Sequence, residues 1–122
     1  MNDPLQVLLI EDDPDVRLGC EQALQLEDIA VSGVASAEQA QRRIGRDFAG
    51  VVVSDIRLPG MDGMALLKAL RLIDPELPVL LITGHGDVPL AVQAMRAGAY
   101  DFLEKPFASD DLLDSVRRAL AL

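Results

Sequence analysis

The sequence predicts an α/β domain: a doubly wound sheet of five parallel strands flanked by five helices. Two observations carry this. Five short apolar runs alternate with five longer segments of helical periodicity, the pattern of buried parallel strands joined by crossover helices. The central run, Val51-Val52-Val53, is three β-branched residues in a row, which suits a strand buried on both faces. At 122 residues the chain is long enough for a real core. No repeat, linker or composition shift divides it, so residues 1–122 read as a single domain.

The elements follow in order. Gln6 to Ile10 is the first strand, stopped by Glu11-Asp12-Asp13-Pro14-Asp15. Proline suits the first turn of a helix, where its missing N–H would be unpaired anyway, and Asp13 is placed to cap it. That helix is expected to run to about Glu27, with Val16, Cys20, Ala23 and Leu24 on one face. Ile29 to Val34 gives a weaker second strand. Ser36 and Gln39 form a capping box for a second helix, with Ala40 and Ile44 inward and Gly45 near its end.

Gly50 to Asp55 is the third strand. Leu58-Pro59-Gly60-Met61-Asp62-Gly63 cannot continue it, because proline lacks a ladder N–H and the glycines favour turns. Met64 opens a third helix that closes near Asp74-Pro75. Pro78 to Thr83 is the fourth strand, ending in Gly84-His85-Gly86. A fourth helix spans about Val88 to Arg96, with Gly98 as its stop. Tyr100 to Glu104 is the fifth strand, broken by Lys105-Pro106. Ser109 is expected to cap a last helix that carries Leu112, Leu113, Val116 and Leu120 on one face.

Composition excludes several function classes. Eleven Lys+Arg against 20 Asp+Glu give a net charge of −9, the wrong sign for direct nucleic-acid binding. Half the residues are apolar, yet no run of about 18 is free of charge, so no membrane helix is encoded. Met1-Asn2-Asp3-Pro4 has no basic region or apolar signal core, which sets the expectation of a cytoplasmic protein. The single cysteine, Cys20, cannot form an internal disulfide and reads as a core thiol.

Four strands end in groups that chemistry can use: Glu11-Asp12, Asp55, Thr83 and Lys105. In a parallel sheet these ends share one edge, the edge where ligands bind in open α/β folds. Three carboxylates brought together repel, and a hard cation such as Mg²⁺ or Mn²⁺ would relieve them. Two or three carboxylates plus a backbone carbonyl, that of Arg57, match the few protein ligands magnesium takes. Asp55 can then attack a phosphoryl group to give an acyl phosphate. Lys105 would neutralise the phosphoryl oxygens and Thr83 would donate a hydroxyl hydrogen bond to them.

These residues carry a family resemblance. Leu9 to Asp13, Ser54 to Gly63, Ile82-Thr83-Gly84 and Phe102 to Phe107 resemble the receiver domain of two-component response regulators, and the likeness covers essentially the whole chain. Ser54 to Gly63 and Gly98 to Phe102 are similar to receivers of enhancer-binding activators of the nitrogen-regulatory class. Gly84 to Pro89 resembles regulators of C4-dicarboxylate transport. The resemblance implies a flavodoxin-like receiver fold and a phosphorylation-dependent switch that acts on transcription through an effector not present in these residues. Asp55 would accept a phosphoryl group from a sensor histidine kinase. Asp12 would bind Mg²⁺ directly and Glu11 through water, and Lys105-Pro106 would be cis. Thr83 would be the switch hydroxyl and Phe102 the aromatic whose rotamer follows it.

Arg57 and His85, each two places beyond a site residue, are expected to overhang the site and tune the lifetime of the acyl phosphate. The small, apolar fourth helix, with Ala91, Val92, Ala94, Met95 and Ala97, suggests a homodimer through the fourth helix, fifth strand and fifth helix. A Mg²⁺-dependent aspartyl-phosphate phosphohydrolase is the alternative, and not being an enzyme is the expectation. Such a hydrolase wants a second Asp two places after the nucleophile; here that place holds Arg57, which cannot be a general acid at neutral pH. A flavin-binding electron carrier would want a phosphate cradle after the first strand, where this chain has three acids instead.

Overall fold

Apolar runs bury side chains on both faces only if helices cover both sides of the sheet. The computed structural model, which describes residues 5–84 and 86–122, has this arrangement. In chain order the elements are β1 (Gln6–Ile10), α1 (Pro14–Gln25), β2 (Val31–Val34), α2 (Ala37–Arg43) and β3 (Gly50–Asp55). They continue with α3 (Gly63–Ile73), β4 (Val79–Thr83), α4 (Val88–Arg96), β5 (Asp101–Glu104) and α5 (Ser109–Leu120). The five strands are all parallel and lie in the order β2-β1-β3-β4-β5.

The two-residue strand period divides the core in two. Val7 and Leu9, Val51 and Val53, and Leu80 and Ile82 pack with Leu24 of α1 and with Leu112 and Val116 of α5. Leu8, Ile10, Val52 and Leu81 face the other way, onto Ala40 of α2, Leu66, Leu67 and Leu70 of α3, and Ala94 of α4. Strand order turns back at β1, which lies between β2 and β3, and puts a crevice at the carboxyl ends of β1 and β3.

Local chemistry explains most boundaries. Asp13 Oδ1 accepts from Asp15 N at 2.9 Å and Val16 N at 3.3 Å, capping α1. Ser36 Oγ accepts from Gln39 N at 3.1 Å, and Gln39 Oε1 accepts from Ala35 N at 2.9 Å. α4 ends in a Schellman motif: Ala99 N donates to Ala94 O at 3.0 Å and Gly98 N to Met95 O at 3.2 Å, with Gly98 at φ 105°.

Several expectations are corrected. α1 ends at Gln25 rather than Glu27, and β2 starts at Val31 rather than Ile29. The intervening turn passes through Asp28 at φ 60°, which no regular element accommodates. Val16 is exposed, because the buried stripe of α1 narrows to Leu24 with Cys20 and Ala23 half-buried. Ile44 is buried but caps α2 instead of lying within it. Ser109 is not the cap of α5: Ala108 takes that place in extended conformation, with no side-chain cap bond among the described residues. β5 starts at Asp101 rather than Tyr100, and Tyr100, like Leu103, packs against the core on the α1/α5 side.

Gly63 shows where close approach dictates sequence. A Cβ there would lie 2.4 Å from Asp55 O and 2.8 Å from Ile56 Cα, both backbone atoms that cannot give way. Gly63→Ala is expected to destabilise the fold by about 1–3 kcal/mol through overpacking. Gly19→Ala, in α1 with nothing within 4 Å of the added methyl, is expected to stabilise it by roughly 0.5–1 kcal/mol. Urea midpoints at unchanged m-value measure both, and a neutral Gly63→Ala would contradict the close approach.

Candidate functional site

Asp55 is the last residue of β3, where the strand stops and a loop must begin. Its backbone is fixed by parallel pairing with β4 opposite Ile82, and Ile56 N donates to Ile82 O at 2.9 Å. Ser54 Oγ donates to Asp55 O at 2.9 Å. The loop then folds back: Gly63 N donates to Ile56 O at 2.8 Å. Asp62 caps α3 by accepting from Ala65 N at 2.8 Å, and Glu38 Oε2 on α2 accepts from Met61 N at 3.2 Å. The loop therefore leaves Asp55 on a rigid course.

Both oxygens of the Asp55 carboxyl are engaged. Oδ1 accepts from Arg57 N at 3.1 Å, and Oδ2 accepts from Lys105 Nζ at 2.7 Å. Lys105 also donates to Glu11 Oε1 at 3.2 Å, so one ammonium joins the ends of β1, β3 and β5. The Lys105 backbone is tied to β4, its N donating to Thr83 O at 2.9 Å, and the Lys105-Pro106 peptide is cis as expected. Asp55 is 7% exposed and Glu11 2%.

Electrostatics follow from this burial. Desolvation, with the Asp55 carboxylate beside it, pushes Glu11 up to about 7 despite the Lys105 ammonium that lowers it. Burial works against the charged form of Lys105, but Asp55 and Glu11 outweigh it and hold its pKa above the ordinary lysine value. Glu11 Oε2 is buried with no hydrogen-bond partner among the described residues. One oxygen each from Glu11, Asp12 and Asp55 lie within 4.8 Å of one another, with Asp12 on the exposed side. An orphaned carboxylate oxygen among three clustered acids suits a hard, oxygen-seeking cation.

The structure thus brings Glu11, Asp12, Asp55 and Lys105 together. It places Thr83 beside them, but the Thr83 hydroxyl is turned away, donating to Leu103 O of β5 at 3.4 Å. Phe102 lies on the outer part of β5 with 38% of its surface exposed. The Arg57 guanidinium pairs with Asp87 Oδ2 at 3.0 Å, on the residue that precedes α4. His85 lies outside the described residues. Sequence reasoning found no role for Asp62, although an Asp before Gly-Met-Ala-Leu-Leu is a cap signal. It also missed Glu38, whose contact with Met61 crosses 23 residues and leaves no local trace. Burial pushes the Cys20 thiol up, consistent with an inert thiol.

A family model for the response regulator receiver domain matches residues 7–117. The C4-dicarboxylate transport transcriptional regulatory protein DctD of Pseudomonas aeruginosa is 64% identical over 115 residues, 94% of this chain and 25% of that protein. DctD of Rhizobium meliloti is 55% identical over 113 residues, 93% of this chain and 25% of that protein. The chain therefore spans about a quarter of the length of these relatives. The crystal structure of the NtrX receiver domain from Brucella abortus superposes with a TM-score of 0.89 at 39% identity, covering 95% of this chain and 98% of that one.

The raised Glu11 pKa has a sign that can be checked. Between about 4.5 and 7 the folded state holds a proton that the unfolded state releases, so this group's contribution to stability is lost as pH rises through 7. Glu11→Gln, measured without divalent cations, is expected to raise the melting temperature at pH 8 and to change it far less at pH 5. An equal shift at both pH values would show that Glu11 is charged throughout.

Proposed function

The chain belongs to the response regulator receiver family, and from that premise we propose that Asp55 is its phosphoryl acceptor, served by a histidine of a sensor kinase. The observation that carries this is the Lys105 ammonium 2.7 Å from a buried carboxylate whose other oxygen is held by a backbone N–H. That carboxylate is oriented for attack, and its cation is already in place to receive the phosphoryl charge.

In this reading an Asp55 oxygen forms the new bond to phosphorus as the donor's bond breaks, giving an acyl phosphate and a free imidazole. Lys105 moves its contact from Asp55 to a phosphoryl oxygen. Glu11, Asp12 and Asp55, with the backbone carbonyl of Arg57, would hold Mg²⁺ or Mn²⁺, which would neutralise the transferred group. Direct ligation by Asp12, and Glu11 acting through water, follow the family resemblance. The family assignment does not favour the phosphohydrolase. The open cleft beside Lys105, about 730 Å³ and lined by Val16, Cys20, Pro106, Phe107 and Leu112, is the surface a kinase domain would cover.

The response side is α4 and β5. The Thr83 hydroxyl bond of 3.4 Å is long, so a phosphoryl oxygen could win it with little loss. Phe102 would follow into the space vacated. Val88, Val92 and Met95 on α4 are exposed, as is Phe102 on β5, the strand α4 contacts, while Ala91 and Ala94 are spent on the core. This apolar patch is the proposed homodimer surface, together with α5. Transcriptional control through an effector outside these residues, as in the enhancer-binding class, is the proposed setting, in the cytoplasm. Among the described residues no helix is long and apolar enough to cross a membrane.

Two outcomes are expected. Incubation with acetyl phosphate and Mg²⁺ should add one phosphate by intact mass, an adduct lost in Asp55→Asn and formed at least tenfold more slowly in Lys105→Ala. Steady phosphate release from an ester without an adduct would support a hydrolase instead. Beryllofluoride with Mg²⁺ should change the monomer–dimer equilibrium in sedimentation, and Val92→Asp should abolish the change. Monomer in every condition would remove the dimer from the reading.

A further inference from the structure

The contact between Arg57 and Asp87 places a helix end in competition with the acceptor loop. Asp87 is the N-cap residue of α4, and aspartate there ordinarily accepts from the helix's first free N–H groups. Here its side chain makes no cap bond, and its backbone has φ −93° and ψ 52°. Oδ2 instead lies 3.0 Å from Arg57, with 75% of the Arg57 side chain exposed against 22% for Asp87. Because Pro89 has no N–H, the amide a cap bond would serve is that of Leu90. The first helical bond already runs from Ala91 N to Asp87 O at 3.2 Å.

Arg57 also touches the acceptor. Its N–H donates to Asp55 Oδ1 at 3.1 Å while its guanidinium holds α4. A change of charge at Asp55 therefore acts on the same residue that restrains the helix. The opposite end of α4 is secured differently. Arg71 donates to Gly98 O at 3.3 Å, to Pro75 O at 2.8 Å and to Leu77 O, fixing the turn after the helix to the α3–β4 connection. Between the two ends an open groove of about 720 Å³, bordered by Leu58, Asp62, Leu90 and Gln93, leaves the N-terminal half of α4 room to shift.

We propose that Asp87 is a two-position latch: paired with Arg57 it ties the start of α4 to the acceptor loop, and released it caps α4. An exposed ion pair and a cap bond are of similar worth, so a modest bias at Arg57 suffices to move the carboxylate. The part of this that concerns phosphorylation rests on the reading of Asp55 as acceptor; the competition itself does not.

The test follows the Leu90 amide by NMR hydrogen exchange in the unmodified chain. Arg57→Ala frees the carboxylate, and Asp87→Asn keeps a capping oxygen while weakening the pair. Both are expected to slow Leu90 exchange about fivefold, the factor an ordinary cap supplies. Asp87→Ala, which can do neither, should not slow it. Unchanged exchange in both Arg57→Ala and Asp87→Asn would overturn the latch. In wild-type protein treated with acetyl phosphate and Mg²⁺, the Leu90 resonance should move toward its Arg57→Ala position. An adduct by mass with no movement overturns the coupling. Absence of an adduct counts against the acceptor reading, while the exchange arm still decides the latch.

Discussion

One ammonium group holds the carboxyl edge of this sheet together. Lys105 Nζ lies 2.7 Å from Asp55 and 3.2 Å from Glu11, two carboxylates almost withdrawn from water. Without it the Asp55 carboxylate would act unopposed on Glu11, and two buried anions side by side would oppose the packing of β1 against β3. The burial of Glu11 shows the strain that remains, in a carboxyl pushed up to about 7 and an oxygen with no partner among the described residues. The ammonium is held in turn by backbone. Lys105 N bonds Thr83 O, so the pairing of β5 with β4 decides where the charge is delivered.

Topology makes this economical in sequence. β1 and β3 are neighbours, so their terminal acids converge without any long side chain. β5 lies beyond β4, and its cation must cross the end of that strand. The four-carbon stem of lysine spans the gap past Thr83, the last residue of β4, whose carbonyl accepts from Lys105 N.

What could be read from sequence follows the range of the forces involved. The strands were legible because a doubly covered sheet demands unbroken apolar runs, and Val51-Val52-Val53 has no other good use. The convergence of Glu11, Asp12, Asp55 and Lys105 was legible because parallel strands align their ends. Boundaries set by single-residue geometry were not: Asp28 at positive φ shortens β2, and Ala108 caps α5 without a side-chain bond although Ser109 follows it. Tertiary choices were not legible either. Sequence places Arg57 two residues from Asp55 but cannot say that its guanidinium prefers Asp87, thirty residues on. Nor can it show that the Thr83 hydroxyl turns to β5 while its carbonyl positions Lys105.

The two sides of the site differ in how firmly they are held. The loop after Asp55 is fixed by the Asp62 cap, the Glu38 contact to Met61, and the tight seat of Gly63 against the Asp55 backbone. Displacing it means breaking all three. Across the groove, α4 begins without a side-chain cap and leaves Val88, Val92 and Met95 in water. Its restraint is an ion pair exposed enough to be weak. New charge at Asp55 can shift an equilibrium only as far as it favours one state over the other. If Asp55 is the acceptor proposed above, its new charge would act more readily on α4, held at its start by that exposed pair, than on the loop that bears the charge.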